Sequence, residues 1–329
     1  MAQAFVTGGS GFVGGHMIRL LQERGYEVKA LARSPRAAQQ VAALGAKVVE
    51  GDLLNESAMM RGMQGCEVVF HVAGYISDWG RYEAFYEANV IGTERSLSAA
   101  KAAGVSRFVQ VGASAVVMNK QPIFDADESL PLQTPSFSPY IATKSIAEQR
   151  VIAANAPGFT TSVIRPSWIW GEGDHAIPNI VKAVRQNQFL WIDQGNYLYV
   201  TTHVANVCHG SILAAQHSPG GQAYFLADDG VVKFRDWVRT LVQIEGVNPR
   251  NRSIPYIFAW SIAGLLEFLW KIQKRRDVPP ITQSMVRLIG RGFTFSDRKA
   301  RNELGYIPIM TREQGLKELR HQESVNRII

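Results

Sequence analysis

Hydrophobic residues in the first half of the chain follow two alternating patterns. Short runs rich in valine, isoleucine and phenylalanine alternate with longer stretches in which apolar residues recur at helical spacing. This alternation predicts βαβ units, which build a parallel sheet with helices on both faces. The apolar runs predict six strands, at Ala4–Thr7, Glu27–Ala32, Lys47–Glu50, Val68–Val72, Phe108–Val111 and Ser162–Arg165. Six such strands predict an α/β fold with a Rossmann-like, doubly wound parallel sheet.

The regular alternation ends after Pro166. Trp168 and Trp170 follow closely, and the polar run 193–196 predicts a turn rather than a continued βα unit. We therefore predict a first domain over residues 1–165. Residues 166–329 are expected to form mainly a smaller C-terminal substrate-binding lobe, with some segments returning to the first domain.

The composition is that of a globular protein. Hydrophobic residues make up 46% of the 329 residues and charged residues 19%, which is enough apolar surface for a core. The two cysteines, Cys66 and Cys208, supply neither a disulfide framework nor a four-thiolate zinc site, and we expect no metal. The start of the chain lacks a basic stretch followed by an apolar run. We expect a cytoplasmic protein.

Positive charge is concentrated in the last third of the chain. From Val231 onward there are 18 lysines and arginines against 9 acidic residues, whereas residues 1–230 carry 17 against 19. No zinc-finger or RNA-recognition signature accompanies this charge, so nucleic acid is not the expected partner. An anionic substrate or a lipid surface fits it better.

A glycine-rich turn follows the first predicted strand. Gly8, Gly11 and Gly14 lie between that strand and an amphipathic helix. Glycine is required where the chain turns tightly and where backbone approaches a pyrophosphate, and the helix N-terminus attracts the phosphates. In this position the pattern favours a dinucleotide cradle over an ordinary βα turn.

The end of the second strand indicates which dinucleotide is bound. An acidic residue about 20 positions after the glycines would accept a hydrogen bond from the adenosine 2′-hydroxyl. This chain has Arg33 there, Arg36 follows, and no carboxylate lies between Val28 and Gln40. Because arginine pairs with a 2′-phosphate, NADP(H) is favoured over NAD(H). The alternative is a solvated basic loop with no role in binding.

Tyr140 and Lys144 begin a further helical segment, directly after Pro139. Residues four apart share a helix face, so the phenol and the ammonium group are expected to lie side by side. A neighbouring cation favours the phenolate and lowers the pKa of a tyrosine from about 10. This pair predicts proton exchange with an alcohol or ketone. Chance proximity of a surface tyrosine and lysine is the alternative.

Several segments together resemble the extended short-chain dehydrogenase/reductase superfamily, and within it the 3β-hydroxysteroid dehydrogenase-like branch of the NAD(P)-dependent epimerase/dehydratase type. They are the Thr7–Gly14 start, the Tyr140/Lys144 pair, Gly51-Asp52-Leu53, the 165–171 segment and the closing 301–308 segment. The stretches Trp79-Gly80 and 89–93 are also similar to bacterial NADPH-dependent reductases of 2-alkyl-3-keto acids. The resemblance spans nearly the whole chain.

The resemblance implies roles for these residues. Tyr140 would be the catalytic acid/base, and Lys144 would lower its pKa and hold the nicotinamide ribose. Asp52 and Leu53 would meet the adenine. With Arg33 and Arg36 added, the expected cofactor-binding set is Thr7, Gly8, Gly11, Phe12, Val13, Gly14, Arg33, Arg36, Asp52, Leu53, Ala73, Gly74, Tyr140, Lys144 and Pro166.

The family also has a serine or threonine after the fifth strand that holds the substrate oxygen. Here Ala113 stands at the matching position and Ser114 comes one residue later, so Ser114 is assigned. The alternative is a loop serine and an active site without this hydroxyl. The resemblance further implies that Ala73 and Gly74 line the cofactor and that Asn89 braces the neighbouring helix.

The substrate must be recognised mainly by the irregular lobe. Candidate residues for an apolar cleft are Trp79, Phe85, Trp168, Trp170, Trp191 and Tyr197. Residues 255–276 are intensely hydrophobic and end in Lys271, Lys274, Arg275 and Arg276. The segment is shorter than a bilayer span, so a membrane-surface helix, a lid over the cleft or a buried helix remain open.

These observations predict an NADP(H)-dependent oxidoreductase that acts on a secondary alcohol or ketone of a hydrophobic molecule, such as a steroid or a long-chain 2-alkyl-3-oxo acid. One alternative is a nucleotide-sugar epimerase that retains its cofactor. The other is a non-catalytic protein that senses NADP(H). A homodimer is compatible with the family resemblance.

Overall fold

The computed structural model describes residues 2–275 and 277–326, and Arg276 lies outside the described residues. Its first half alternates strands and helices as the hydrophobic pattern predicts. Its elements are β1 (Gln3–Thr7), α1 (Phe12–Glu23), β2 (Glu27–Ala32), α2 (Pro35–Ala43), β3 (Lys47–Glu50), α3 (Glu56–Met63), β4 (Val68–His71), α4 (Tyr82–Tyr86), α5 (Gly92–Ala102), β5 (Arg107–Val111), β6 (Ile123–Ala126), α6 (Pro139–Ala153) and β7 (Thr160–Pro166). A π-helical turn, Glu87–Ile91, joins α4 to α5, and a 3₁₀ turn, Ser114–Val117, follows β5.

The second half contains shorter strands and most of the remaining helices. Its elements are β8 (Trp168–Trp170), α7 (Ala176–Arg185), β9 (Trp191–Ile192), β10 (Leu198–Tyr199), β11 (Thr201–His203), α8 (Val204–His217), β12 (Gln222–Leu226), β13 (Val232–Lys233), α9 (Phe234–Ile244), β14 (Ser253–Ile254), α10 (Tyr256–Ile272), α11 (Gln283–Gly290), β15 (Phe293–Phe295), α12 (Arg298–Leu304) and α13 (Arg312–Asn326).

Seven parallel strands form the central sheet in the order β3-β2-β1-β4-β5-β7-β12. The doubly wound α/β prediction is confirmed, and all six predicted strands are present. The seventh strand, β12, was not predicted; it pairs with β7 in the register Gln222↔Ser162 to Leu226↔Pro166. The strand order reverses between β1 and β4, which places the ligand-binding crevice at their carboxyl ends.

Helices cover both faces of this sheet. On β1, Ala4 and Val6 belong to the core shared with α1 and α8, whereas Phe5 belongs to the core shared with α3, α5 and α6. Successive side chains of a strand alternate between faces, so a strand covered on both sides must be apolar throughout. This explains why the strands read as continuous hydrophobic runs in the sequence.

The lobe is built on small sheets. A four-stranded sheet has the order β13-β10-β15-β6, and two further pairs are β8 with β11 and β9 with β14. β6 comes from the first half of the chain and joins the lobe, whereas α8 and β12 from the second half pack onto the central sheet. The two halves of the chain therefore exchange segments.

Candidate active site

The glycine-rich turn connects β1 to α1 at the point where the strand order reverses. Gly8 has a φ of +72°, and a Cβ there would lie 2.8 Å from the amide nitrogen of Ala73. A Cβ at Gly14 would collide with the carbonyl group of Gly8. Only glycine lets the turn, the helix and the loop after β4 approach this closely. Because these glycines have no side chains, a ligand can approach the backbone of the turn closely.

The first turn of α1 is suited to an anion. Its N-cap is Gly11, which supplies no capping side chain, and the turn contains no acidic residue. Phe12 and Val13 open the helix, so its first amide groups are not occupied by a side-chain acceptor. Unpaired amides at a helix N-terminus bind phosphate well.

Thr7 ties the end of β1 to the loop after β4. Its hydroxyl group accepts a hydrogen bond from the Ala73 amide at 3.2 Å and lies 3.0 Å from Nδ1 of His71. The other ring nitrogen of His71 lies 3.1 Å from the Thr93 hydroxyl. Burial, reinforced by the charge of Lys144, lowers the pKa of His71 to about 3. His71 is therefore a neutral hydrogen-bonding residue beneath the site.

The two arginines lie where β2 meets α2. Arg33 and Arg36 are both exposed, and neither makes a hydrogen bond or ion pair with another described residue. Ser34 between them caps α2 by accepting a hydrogen bond from Ala37 at 3.2 Å. Two free guanidinium groups and a helix N-terminus thus occupy one short segment. This combination can bind a phosphate monoester.

Asp52 and Leu53 follow β3 on the same edge. The Asp52 carboxylate accepts a hydrogen bond from the Leu54 amide at 2.9 Å and is otherwise exposed. Leu53 is half-buried and packs against Gly92 at the start of α5. Pro166 lies farther along the sheet, buried at the end of β7 and paired with Leu226. These residues are placed at the carboxyl edge where the sequence motifs put them.

Asn89 braces the site. It lies in the π-helical turn, where its amide group donates to the Thr143 hydroxyl at 3.1 Å and to the carbonyl of Tyr75. Its side-chain oxygen accepts a hydrogen bond from the Tyr75 amide at 2.7 Å. Asn89 therefore connects the loop after β4, which carries Ala73 and Gly74, to helix α6. A π-helical turn often marks such a functional position.

Helix α6 brings the tyrosine and the lysine to this edge. Ser138 caps it and Pro139 occupies its first turn, so Tyr140 stands one residue inside the helix. The Lys144 ammonium group donates to the Val111 carbonyl at the end of β5, at 3.0 Å. A Cβ built on Gly74 would lie 3.9 Å from the same nitrogen. Lys144 thus lies between the loops after β4 and β5.

The electrostatics of the pair differ from the sequence expectation. Burial, with a smaller contribution from the Asp78 carboxylate, raises the pKa of Tyr140 to about 12. Burial lowers the pKa of Lys144 to about 8, although Glu148 opposes the shift. The Lys144 ammonium group donates its hydrogen bond to the Val111 carbonyl. Tyr140 is therefore a protonated phenol at neutral pH.

Ser114 begins the 3₁₀ turn that follows β5. It is buried, and its hydroxyl group makes no hydrogen bond to another described residue. The same turn packs against α6, where the Ser145 hydroxyl donates to the Val116 carbonyl at 3.3 Å. The structure thus holds Ser114 on an element that contacts α6, the helix of Tyr140 and Lys144.

Comparison with known proteins agrees with this geometry. Residues 5–256 match the model of the 3-beta hydroxysteroid dehydrogenase/isomerase family. The chain belongs to this family. Its resemblance to the 3β-hydroxysteroid dehydrogenase-like branch is thereby confirmed, and the chain is an oxidoreductase of the short-chain dehydrogenase/reductase type.

Two reductases are among the relatives that match nearly the whole chain. A 4-hydroxy-2-methyl-3-oxo-4-farnesyl-3,4-dihydroquinoline-1-oxide ketoreductase of Stigmatella aurantiaca is 44% identical over 319 residues, covering 97% of this chain and 96% of that protein. A 2-alkyl-3-oxoalkanoate reductase of Stenotrophomonas maltophilia is 33% identical over 324 residues, covering 96% of this chain and 97% of that protein.

Solved structures share the fold. The dTDP-glucose 4,6-dehydratase of Streptomyces venezuelae, crystallised with NAD, has a TM-score of 0.77 at 22% identity, covering 99% of this chain and 98% of that one. A UDP-glucose 4-epimerase of Thermotoga maritima has a TM-score of 0.77 at 18% identity, covering 99% of this chain and all of that one. At these identities the likeness concerns the fold alone.

This member of the 3-beta hydroxysteroid dehydrogenase/isomerase family also contains a buried ion pair that sequence analysis missed. Glu148 lies one turn beyond Lys144 on α6, and its two carboxylate oxygens accept hydrogen bonds from Nε of Arg165 at 3.0 and 3.1 Å. Both side chains are at most 4% exposed. The spacing Lys144/Glu148 was a visible signal, but Arg165 comes from a distant strand.

Some of the aromatic residues expected to line a cleft are core residues instead. Phe85, Trp170 and Trp191 are at most 1% exposed. Trp170 donates to the buried carboxylate of Asp228 at 2.7 Å, and Trp191 donates to a backbone carbonyl. The expectation is corrected for these three residues, because their indole and phenyl groups fill the interior. Trp79 remains partly exposed beside the site.

Proposed function

We propose that this enzyme transfers hydride from NADPH to a ketone carried by a hydrophobic molecule. The observation that supports this proposal best is the position of Tyr140 on α6, one turn from Lys144, whose ammonium group lies between the loops after β4 and β5 at the edge of the glycine cradle. A phenol at this position can give its proton to a carbonyl oxygen. The names of two relatives, a ketoreductase and a reductase, favour the reducing direction.

The protein residues have separate tasks in this proposal. NADPH, when bound, supplies the hydride. The Tyr140 hydroxyl group donates a proton to the ketone oxygen, and the Ser114 hydroxyl group holds that oxygen by a hydrogen bond. Lys144, which already lies between the loops after β4 and β5, holds the ribose hydroxyl groups and a positive charge near the phenol.

NADP(H) is preferred in this proposal because of the charges at the end of β2. Arg33 and Arg36 are exposed and have no partner among the described residues. Glu50 pairs with Ala32 on the neighbouring strand, and Asp52, two residues beyond Glu50, accepts a local backbone hydrogen bond. Two guanidinium groups would attract a 2′-phosphate, and the segment from Val28 to Gln40 has no carboxylate to accept a hydrogen bond from a 2′-hydroxyl group.

Substitution of Arg33 tests this preference. Arg33→Asp should lower kcat/KM for NADPH by about tenfold or more and improve the value for NADH, because a carboxylate repels the 2′-phosphate and accepts from the 2′-hydroxyl. Arg24→Asp, on the exposed end of α1, is the matched control. Equal kcat/KM values for NADPH in the native chain and Arg33→Asp would contradict the assignment.

The names of the relatives suggest the substrate class. Both describe a 3-oxo compound with an alkyl group on the neighbouring carbon, and the first also carries a farnesyl chain. We therefore propose a ketone flanked by a carbon that bears a hydrophobic chain. Partly exposed aromatic residues beside the site, such as Trp79 and Trp168, suit such a chain.

A screen of NADPH oxidation tests the reaction. The native chain and Tyr140→Phe are assayed with 2-alkyl-3-oxo acids, prenylated cyclic ketones, steroid ketones and UDP-sugars. We expect turnover of the alkylated ketones and loss of about 100-fold or more in Tyr140→Phe. Interconversion of UDP-sugars with tightly retained cofactor would indicate an epimerase. Tight NADPH binding without turnover across the panel would indicate a sensor.

A further inference from the structure

Helix α10 carries large hydrophobic side chains on its solvent side. We call these residues the apolar stripe: Ile257, Phe258, Ile262, Leu265, Phe268, Leu269 and Ile272. They are 37–70% exposed. At 100° per residue they lie within an arc of about 140°, which is one continuous face of the helix. Ser261 is the one polar residue in this arc, and its hydroxyl donates to the helix backbone at Ile257.

The other face of α10 is firmly attached to the lobe. Ala259 and Ala263 are fully buried in a cluster with Ile192 and Val286. Glu267, the one acidic residue of the helix, also lies on this side and accepts a hydrogen bond from the Gln283 amide at 2.7 Å. The apolar stripe is therefore displayed by an anchored helix, with no carboxylate on its exposed face.

Basic residues surround the end of this helix. Lys271 and Lys274 are exposed, and Arg275 stacks on Trp270 while pairing with Asp277. With Arg276, the sequence from Lys271 to Asp277 contains four cations and one anion. An apolar helix face with cations at its border has the properties of a membrane-surface helix that prefers anionic lipid.

Helix α10 also borders the entrance to the active site. Trp260 contacts the ring of Phe137, with ring centroids 5.6 Å apart, and Phe137 precedes Tyr140 by three residues. At the other end, the Lys271 ammonium lies 5.7 Å from the ring centre of Trp79, in the loop after β4. An open pocket of about 260 Å³ lies on the same side, lined by Asn119, Lys120, Gln133, Pro135, Ser136 and Phe137.

Other occupants of the stripe fit less well. A lid closed over the cleft would bury these side chains against the protein, whereas they face solvent. A stable dimer interface normally uses 20–30 residues on each side, and the stripe has seven large side chains. The 17 residues of α10 are about 25 Å long, and no helix among the described residues is long and apolar enough to cross a bilayer.

We propose that α10 lies in the surface layer of an anionic membrane, with the apolar stripe in the lipid, and that this docking turns the active-site entrance toward the bilayer. The second part rests on the proposed function, because it holds that the hydrophobic ketone enters from the membrane. A lipid-dissolved substrate would then reach Tyr140 past Trp79 and Phe137 without crossing water.

Vesicle binding tests the docking. The full-length native chain is mixed with phosphatidylcholine vesicles, with or without phosphatidylglycerol, at low and high salt, and bound protein is measured by flotation. We expect binding to the anionic vesicles that weakens with salt. The double variant Leu265→Glu/Phe268→Glu should lose binding at least tenfold, and Lys274→Gln about fivefold. The matched control Ile307→Glu, an exposed apolar residue outside α10, should bind as the native chain does.

Several results would overturn the proposal. Native chain that stays unbound to both vesicle types at low salt, or a double variant that binds as well as the native chain, excludes lipid at the stripe. Loss of a solution dimer in the double variant, without vesicle binding by the native chain, assigns the stripe to a second copy. Circular dichroism checks that the variants are folded.

Activity separates this proposal from the proposed function. With a short, water-soluble ketone, the double variant should keep the native kcat/KM. With a long-chain ketone dissolved in anionic vesicles, its apparent KM should rise at least fivefold. Equal KM values for the vesicle-borne ketone would overturn entry from the membrane. Vesicle binding without NADPH oxidation on any ketone would instead refute the proposed function and leave the docking intact.

Discussion

Helices α6 and α10 break the usual rule for surface helices in opposite directions. α6 buries Thr143, Lys144, Ser145 and Glu148, whereas α10 exposes the seven large hydrophobic residues of the apolar stripe. An ordinary amphipathic helix buries its apolar face and exposes its polar one. Because buried polar groups cost stability and a large exposed apolar face costs solubility, each arrangement is expected where a function retains it. The proposed function assigns the buried groups of α6 to cofactor and substrate, and the proposed docking assigns the exposed groups of α10 to lipid.

The two buried charges of α6, on Lys144 and Glu148, differ in their partners. Glu148 has a full partner in Arg165, whose guanidinium group donates to both of its oxygens. Lys144, one turn earlier, donates to a single backbone carbonyl and has no carboxylate within hydrogen-bonding distance in the described chain. The paired charge maintains the structure, and the unpaired charge is available for chemistry.

Replacement of Lys144 should give the largest effect. Lys144→Met should lower kcat/KM about 100-fold or more, because a catalytic positive charge is lost. It should also raise the free energy of unfolding at pH 7 by up to about 3 kcal/mol, since the buried ammonium group, whose pKa is lowered to about 8, is removed. NADPH oxidation and urea denaturation measure the two effects.

The pH dependence gives the sign of this stability effect. An unfolded lysine has a pKa near 10.5, above the folded value, so the unfolded state binds the proton more tightly. The destabilisation caused by burying the Lys144 ammonium group is present in full below pH 8 and disappears as the pH rises from 8 to 10.5. The advantage of Lys144→Met should shrink over that window. If Lys144→Met were less stable than the native chain at pH 7, the conclusion that Lys144 is a destabilising buried charge would be wrong.

Removal of Arg165 should have the opposite effect on stability. Arg165→Met leaves the Glu148 carboxylate buried without its partner, which costs about 3–5 kcal/mol. The double variant Glu148→Leu/Arg165→Met should recover much of this loss because no charge remains buried. Urea denaturation of the single and double variants measures the coupling. Additive losses would show that the two side chains do not depend on each other.

Acid should destabilise the region under the active site by a smaller amount. The pKa of His71 is lowered to about 3 by burial and by Lys144, below the usual value of 6.5. As the pH falls, His71 therefore becomes protonated in the unfolded state before it does so in the folded state. The free energy of unfolding is unaffected by this residue above pH 6.5 and decreases as the pH falls from 6.5 to 3. Between pH 7 and pH 5 the loss should be about 2 kcal/mol. His71→Gln should show a flatter dependence in thermal melts.

The sequence predicted the central sheet well because its strands are buried on both faces. Five of the six predicted strands have bounds within one residue of the observed ones, and β7 is longer by two residues at its start. β12 was missed because it follows an irregular region and pairs with β7, a strand far away in the sequence. Local hydrophobic periodicity contains no information about such pairing.

The sequence predicted those parts of the candidate active site that are local motifs within one segment of the chain. The glycine turn and the Tyr140/Lys144 spacing are local motifs, and the structure places them at one edge of the sheet. The link of Lys144 to Val111 and the pair of Glu148 with Arg165 join distant segments. The raised pKa of Tyr140 depends on burial, which spacing alone does not determine.

The sequence also did not predict which face of α10 packs against the lobe. Apolar residues occupy most of the circumference of the helix, so hydrophobicity alone does not tell which side is covered. In the structure the small residues Ala259 and Ala263 pack against the lobe, while the larger Leu265 and Phe268 are exposed. The small side chains allow a close approach to α11, and the large ones are left outside.

Replacement of an exposed leucine on α10 should give the smallest change in stability, and replacement of a buried alanine on the same helix is its control. Leu265→Gln should alter the free energy of unfolding in water by less than about 0.5 kcal/mol, because the side chain is 59% exposed and packs little. Ala263→Leu, two residues earlier and fully buried, should cost about 1–3 kcal/mol through overpacking. Equal and large losses for both would mean that Leu265 is held inside a fold or an assembly. A negligible loss at Leu265 means that its hydrophobic side chain contributes nothing to the folded chain in water, which leaves the side chain available to lipid as the proposed docking requires.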